Sequence, residues 1–293
     1  MYRAAAPAAR GAAPAGLGLS GAWRRAFGTA SDSARDPALR AYMADMLRPY
    51  GLDLAEDKLT EGQSYGEMAG TLLAEDMGAQ SPVDLLVFAF AVPDVAPWRA
   101  TACYLSHLCP GQPFAFAVCD QGVIAPFTAL RLIREYAGAE SCQRALLVVA
   151  EQAAMPYQPA VPAVTPARHT VVTLLCDQSG PGRLETVRLH ASVAPAEAGR
   201  LLASTVADLP AANDLTTVVG ASLAAGTLSA GLPGQVIVAS AEQPCTGVWW
   251  EVAGRLPAWA APAGRGRRIL LADYDPLLGH LCLAAIEIPG QRS

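Results

Sequence analysis

Two of the seven cysteines stand where an apolar stretch turns into a helix, and they are the residues with most chemistry to offer. Cys119 lies in "FAFAVCDQGVIAPFTALRLI" (114–133), at the joint between a short apolar strand and an apolar helix. Cys245 opens the helix of "QPCTGVWWEVAG" (243–254). A thiol beside free helix amides and a positive dipole end is the arrangement that lowers a cysteine pKa and yields a nucleophile for acyl groups. The competing reading makes Cys119 a core residue beside a vacant site. Asp120 and Gln121 next to it are either polar groups of a pocket or helix caps, and the capping role is favoured. His280, near the end of the chain, either faces that pocket or is a core histidine. No CxxC pair, HExxH, GxGxxG after a strand, GxxxxGK[ST] or GxSxG is present, so neither a metal site nor a resident cofactor is expected.

The elements that must position these residues follow from hydrophobic spacing. Val123, Ile124, Phe127, Ala129, Leu130, Leu132, Ile133 and Tyr136 cover nearly the whole circumference of a helix, which places it in the middle of the structure. Pro126 is comfortable only in the first turn and sets the start near Gly122 or Val123. Helical spacing recurs in "DPALRAYMADMLRPYGL" (36–52), in "SYGEMAGTLLAEDMGA" (64–79) and over Arg99–Leu108. The continuous apolar run "VDLLVFAFAV" reads as a strand covered on both faces, and 114–118, "RALLVVAE" (144–151) and "HTVVTLLCD" (169–177) read as the further strands of the first half. The proline-rich segment 153–167 is a loop.

"DQSGPG" (177–182) is the clearest boundary. Beyond it the order repeats: a strand at 183–193, a helix at 195–208, strands at 215–219 and 235–240, a helix at 246–256, and strands at 268–273 and 280–288. The reading is therefore an α/β chain with an Ala/Gly/Pro-rich N-terminal arm (1–35), a first half (36–177) and a shortened second half (183–293).

With 52% hydrophobic and 16% charged residues over 293 positions, the chain can bury a large core. A net charge of -5 offers no footprint for nucleic acid or an anionic membrane. The one basic cluster, Arg265, Arg267 and Arg268, is a solvated strand start or a contact for a phosphate-bearing carrier such as coenzyme A. The uncharged run Leu215–Ala241 carries several glycines and a proline, so it reads as two buried strands around a loop rather than a membrane span. The first 31 residues lack acids and carry four arginines, but the same bias pervades the chain and no targeting segment is read. An odd number of cysteines without paired spacing fits a reducing cytoplasm.

The segments "VDLLVFAFAVPD", "ATACYLSHL", "AFAV…FTALRLIREY…RALLVVAE" and "GRRILLADYDPLLGHLCLAAIEI", in this order, resemble the thiolase superfamily, and most closely β-ketoacyl-[acyl-carrier-protein] synthase III. The resemblance covers roughly residues 36–290. It implies a five-layer αβαβα fold of two pseudo-repeated halves, a homodimer or a heterodimer with a ketosynthase homologue, and an acyl-CoA or acyl-carrier-protein thioester as ligand. It also implies a catalytic cysteine, histidine and asparagine. Carried over, the cysteine falls at Gly122 or Val123, the histidine has no counterpart in "GASLAAG" after "LTTVV", and the asparagine position holds Cys245. Trp98 matches the position where one subunit pushes a side chain into its partner's acyl tunnel, and it equally suits a dimer-interface anchor. The expectation is a divergent ketosynthase-III-like protein of polyketide, fatty-acyl or other specialised metabolism that serves as a degenerate partner subunit. The alternatives are an acyltransferase or condensing enzyme acting by direct transfer or through Cys119 or Cys245, and an acyl-thioester binding module.

Overall fold

The apolar runs become the strands of a ten-stranded sheet. The computed structural model describes residues 17–28, 30–77, 81–139, 142–159, 165–209, 214–224, 231–261 and 266–290. The first half contains β1 (Gly18–Phe27), β2 (Leu85–Ala89), β3 (Phe114–Val118), β4 (Arg144–Glu151) and β5 (His169–Asp177). The second contains β6 (Gly182–His190), β7 (Leu215–Val219), β8 (Gln235–Val238), β9 (Arg267–Asp275) and β10 (His280–Ile288). The spatial order is β3-β2-β4-β5-β1-β6-β10-β9-β7-β8. Read outward from the middle, both halves have the same plan: an antiparallel pair (β1 with β5, β6 with β10), then three parallel strands. The pseudo-repeat inferred from sequence is thus present strand for strand.

The helices are α1 (Pro37–Leu47), α2 (Glu56–Glu61), α3 (Tyr65–Thr71, continued by a π-helical turn at Leu72–Asp76), α4 (Thr101–Leu108), α5 (Ala125–Gly138), α6 (Pro195–Asp208) and α7 (Gly247–Trp259). α5 and α7 lie between the inner faces of the two halves, in one core shared with β2, β4, β5, β9 and β10. α3 and α4 cover the outer face of the first half, and α6 that of the second. These are the five layers, helix–sheet–helix–sheet–helix. The central layer is joined by Phe127 of α5 and Trp249 of α7, both buried, in an edge-to-face contact with ring centroids 4.9 Å apart.

Two expectations need correction. The N-terminal arm is not all loose: Gly18–Phe27 is strand β1, paired along its length with β5 and touching β6 at Gly18 and Leu19. Its sequence, GLSGAWRRAF, lacks a clear apolar alternation because arginines replace the usual outward polar residues and a bulge lies between Leu19 and Gly21. Where β1 meets β6, Gly18 lies backbone to backbone against Gly180, so a side chain at either position would overlap the other's main chain. The second correction concerns α5, which is apolar on one face only. Arg131, Arg134 and Glu135 are exposed, while Ala125, Pro126, Phe127, Ala129, Leu130 and Ile133 are buried.

The central contact generates a stability prediction. Trp249→Ala and Phe127→Ala should each cost about 3–5 kcal/mol, because each leaves a cavity in a layer closed on both sides. Urea unfolding of the two single variants and the double variant measures this. The double variant should lose less than the sum of the singles, since the two rings are neighbours.

Candidate functional site

The start of α5 is the corner where sequence and fold converge. β3 ends at Val118, and the chain turns through Cys119, Asp120 and Gln121, with Asp120 in a left-handed conformation at φ 60. A short 3-10 turn, Gly122–Ile124, leads into α5. The amide of Val123, one of the donors a helix start leaves without an internal partner, donates to Asp275 Oδ2 at 3.1 Å. Asp275 stands at the end of β9, and its Oδ1 accepts from the amides of Leu277 and Leu278, both at 3.0 Å. Gly122 sits against the same carboxylate. A Cβ built there would overlap Asp275 Oδ2 and lie 2.9 Å from its Cγ, and its φ of 54 is strained for any side chain.

A second carboxyl does the same service at the start of α7. Glu151, the last residue of β4, accepts from the amide of Cys245 at 2.9 Å, from the hydroxyl of Thr246, and from the hydroxyl of Thr170 on β5 at 3.3 Å. The third acid, Asp273, accepts from the amide of Tyr274 at 2.8 Å. It lies against Gly220, the first residue after β7, where a Cβ would overlap its carboxylate. The resemblance would map the family cysteine to Gly122 or Val123, the asparagine to Cys245 and the histidine to the segment after β7. Gly122, and Gly220 at the start of that segment, each lie against a carboxylate, and the Cys245 amide is held by one.

The electrostatics follow from burial without cations. Burial pushes the Glu151 carboxyl up to about 7, against the lowering effect of its hydrogen bonds from Thr246 and Cys245. Asp273 is driven well above the usual carboxylate range, first by burial and also by the nearby Asp275 and Glu151. The Cys245 thiol is raised well above its ordinary value by burial, then by Glu151 and Asp273. Cys119 is raised to about 11 by burial, then by Asp120, whose carboxylate its thiol meets at 3.1 Å. Both cysteines are held as thiols, the reverse of an activated nucleophile.

The other sequence-derived candidates are spread apart. Gln121 Oε1 accepts from the Thr128 hydroxyl at 2.5 Å, one turn into α5, and makes no side-chain cap to the helix amides. Asp120 borders a cavity of about 460 Å³ at the surface, lined also by Phe88, Phe90, Asp94, Arg99 and Phe116. Trp98 lies on the same side of the molecule, 44% exposed and edge-on to Tyr42. His280 pairs with Asp275 across the β9–β10 hairpin, with Nδ1 buried and without a hydrogen-bond partner in the protein. Arg267 pairs with Asp214, and Arg268 meets Glu185 through Nε at 3.1 Å and through a terminal nitrogen at 3.2 Å. Both arginines are thereby committed within their own half, which argues against contact with a phosphate-bearing carrier. Arg265 lies outside the described residues. Among the described residues no group of three or more His, Cys, Asp or Glu is placed to hold a metal ion, and no helix is long and apolar enough to cross a membrane.

Glu151, Asp273 and Asp275 are the site residues that spacing alone did not single out. A signal for two of them is present: "RALLVVAE" and "RRILLADYD" are equivalent apolar strands, β4 and β9, each ending on an acid.

No family model and no curated protein matches this chain. Solved structures do. "AbyA1 - tetronic acid condensing enzyme" is 15% identical with a TM-score of 0.62, the match covering 94% of this chain and 100% of that one. A 3-oxoacyl-[acyl-carrier-protein] synthase III from Aquifex aeolicus VF5 is 12% identical, with a TM-score of 0.63 and 92% and 99% coverage. ChlB3, described as an acyltransferase, is 16% identical, with a TM-score of 0.59 and 94% and 98% coverage. The fold of this chain is thiolase-like, and it extends over nearly the whole sequence.

The overlap at Gly122 is directly testable. Gly122→Cys should destabilise the protein by roughly 2 kcal/mol or more, from the left-handed backbone and the collision with Asp275. Adding Asp275→Gly should recover part of the loss by clearing the space. Urea midpoints for both singles and the double variant check it: strict additivity would mean that the two positions do not compete for the same volume.

Proposed function

We propose, from the thiolase-like fold and the altered corner at α5, that this chain is a ketosynthase-III-like protein that forms no acyl-cysteine intermediate. It acts as a non-catalytic partner subunit of an active ketosynthase or acyltransferase in acyl-thioester metabolism in the cytoplasm. One observation carries the reading: the Asp275 carboxylate occupies the space in which a side chain at position 122 would begin, and it takes up the Val123 amide. An acyl-transfer site needs an activated nucleophile and donors free to meet developing negative charge. Here Gly122, one of the two positions to which the nucleophile carries over, has no side chain, and the Val123 amide already has the Asp275 carboxyl as acceptor.

The surface supports a partner role. β3 is an edge strand, hydrogen-bonded on one side only, by β2. It carries Phe114, 61% exposed, in ring contact with Phe116 and Tyr136. An exposed, apolar edge of this kind is a template for a second chain, and Trp98 and the 460 Å³ cavity lie beside it. The partner in this reading is another thiolase-like chain, either a copy of this one or a homologue with its nucleophile intact. The acyl group, on coenzyme A or a carrier protein, is handled by that homologue.

Intact-protein mass spectrometry after incubation with a panel of acyl-CoA and acyl-carrier-protein thioesters tests the proposal. No stoichiometric adduct is expected, because a Cys119 thiol at about 11 is ionised to only about one part in ten thousand at pH 7. Co-expression with an active ketosynthase should give a co-purifying complex with altered turnover. An adduct abolished by Cys119→Ala or Cys245→Ala would overturn the non-catalytic reading and make that cysteine the nucleophile.

A further inference from the structure

Two carboxyl groups cross the boundary between the halves in opposite directions. Glu151 ends β4 in the first half and accepts from Cys245 and Thr246 at the start of α7 in the second. Asp275 ends β9 in the second half and accepts from Val123 at the start of α5 in the first. β4 and β9 occupy equivalent places in the two repeats, so this is one contact made twice. Asp273 lies two residues before Asp275 on the same strand and is buried at 3% exposure.

The surroundings supply no fixed counter-charge. None of the described ion pairs includes Glu151, Asp273 or Asp275. The titratable groups facing them are Tyr65 from α3, with Asp94 behind it, Cys245 before α7 and Cys282 opposite Asp273 on β10. Burial raises the phenol and both thiols, so all three are neutral at pH 7. His280 faces Asp275 across the β9–β10 pair, and His169, next to Thr170 on β5, accepts from the Ala153 amide through Nδ1 at 3.2 Å. Thr170 and Thr246 bridge each other at 2.8 Å, and their hydroxyls can turn from donor to acceptor as Glu151 gains or loses a proton.

We propose that these crossed contacts form a proton-operated latch between the two halves, closed while Glu151 and Asp273 retain their protons and loosened when both are ionised. The inference is independent of any acyl chemistry. The amide and hydroxyl donors on Glu151 favour its ionised form, but burial opposes that form more strongly, and Asp273 is raised further by the neighbouring Glu151 and Asp275. The sign is the opposite of the usual surface carboxylate. Glu151 is raised from 4.5 to about 7, so its contribution to folding is complete below 4.5 and is lost as pH rises through 7. Asp273 is shifted in the same direction and carries the loss to higher pH.

The test is urea unfolding of the full chain from pH 5 to pH 9, beside Glu151→Gln and Asp273→Asn. The folding constant should fall with rising pH, by roughly 80-fold between pH 5 and pH 9 for Glu151 alone, given its rise from 4.5 to about 7. The fall should be much flatter in Glu151→Gln. Amide exchange, corrected for its intrinsic pH dependence, should accelerate with pH over residues 121–125 and 243–248 before it does elsewhere. An infrared carboxylic-acid band should be present at pH 6 and lost by pH 9, which reads the proton in the unaltered protein should either variant fail to fold. A pH-independent folding constant over this range, or no carboxylic-acid band at pH 6, would overturn the latch. So would a Glu151→Gln profile as steep as the parent's.

Discussion

Everything in this fold rests on two helix starts that have no water to turn to. α5 and α7 are enclosed between two sheets, and the first amides of any helix lack internal acceptors. An unsatisfied amide in such a place costs about 1–3 kcal/mol, so acceptors have to be brought in. The chain supplies them from the far half in each case: Asp275 for α5, and Glu151 for α7. Each cap joins residues distant in sequence, 152 positions apart in the first case and 94 in the second. The contact that satisfies a helix therefore also fixes one half against the other.

The same constraint sets what the corner can do chemically. In a close-packed layer one volume holds one group. A carboxylate that caps the Val123 amide stands where a side chain at position 122 would project, and a second carboxylate stands against Gly220. Capping and nucleophilic catalysis are thus alternatives at this place, and the chain has the former. Cys119, half-buried, and Cys245, buried, do not restore the latter, because each lies beside an acid that favours its neutral form.

The sequence made the repeat legible because the strands buried on both faces are continuous apolar runs. β4, β5, β7 and β10 begin and end where composition places them. β1 was hidden for a physical reason: its burial comes from lying between β5 and β6, while its own residues include two arginines and two glycines. α5 was read as apolar all round, yet Arg131, Arg134 and Glu135 reach solvent along one side. At the site, the resemblance left a cysteine, histidine and asparagine without counterparts, but it did not point to Asp275 or Glu151. Asp275 and Glu151 act on backbone amides in the other half, and no local spacing encodes a partner that far away. An apolar strand closed by an acid, occurring at equivalent places in both halves, is the trace they leave.

Stability and chemistry are therefore separable in this molecule. The central layer holds through Phe127 on Trp249 and through the two crossed caps, none of which needs a substrate or a nucleophile. A thiol added at position 122 would have to displace a cap before it could react, so reactivity there requires at least two coupled changes, one at 122 and one at 275. The outer surface is under no such restriction. The edge of β3 is exposed at Phe114, although its rings Phe114 and Phe116 also contact Tyr136 of α5, and the neighbouring Trp98 is 44% exposed. In the proposed role, a closed centre and an open edge would let the fold serve recognition while the reactive group is supplied by another chain.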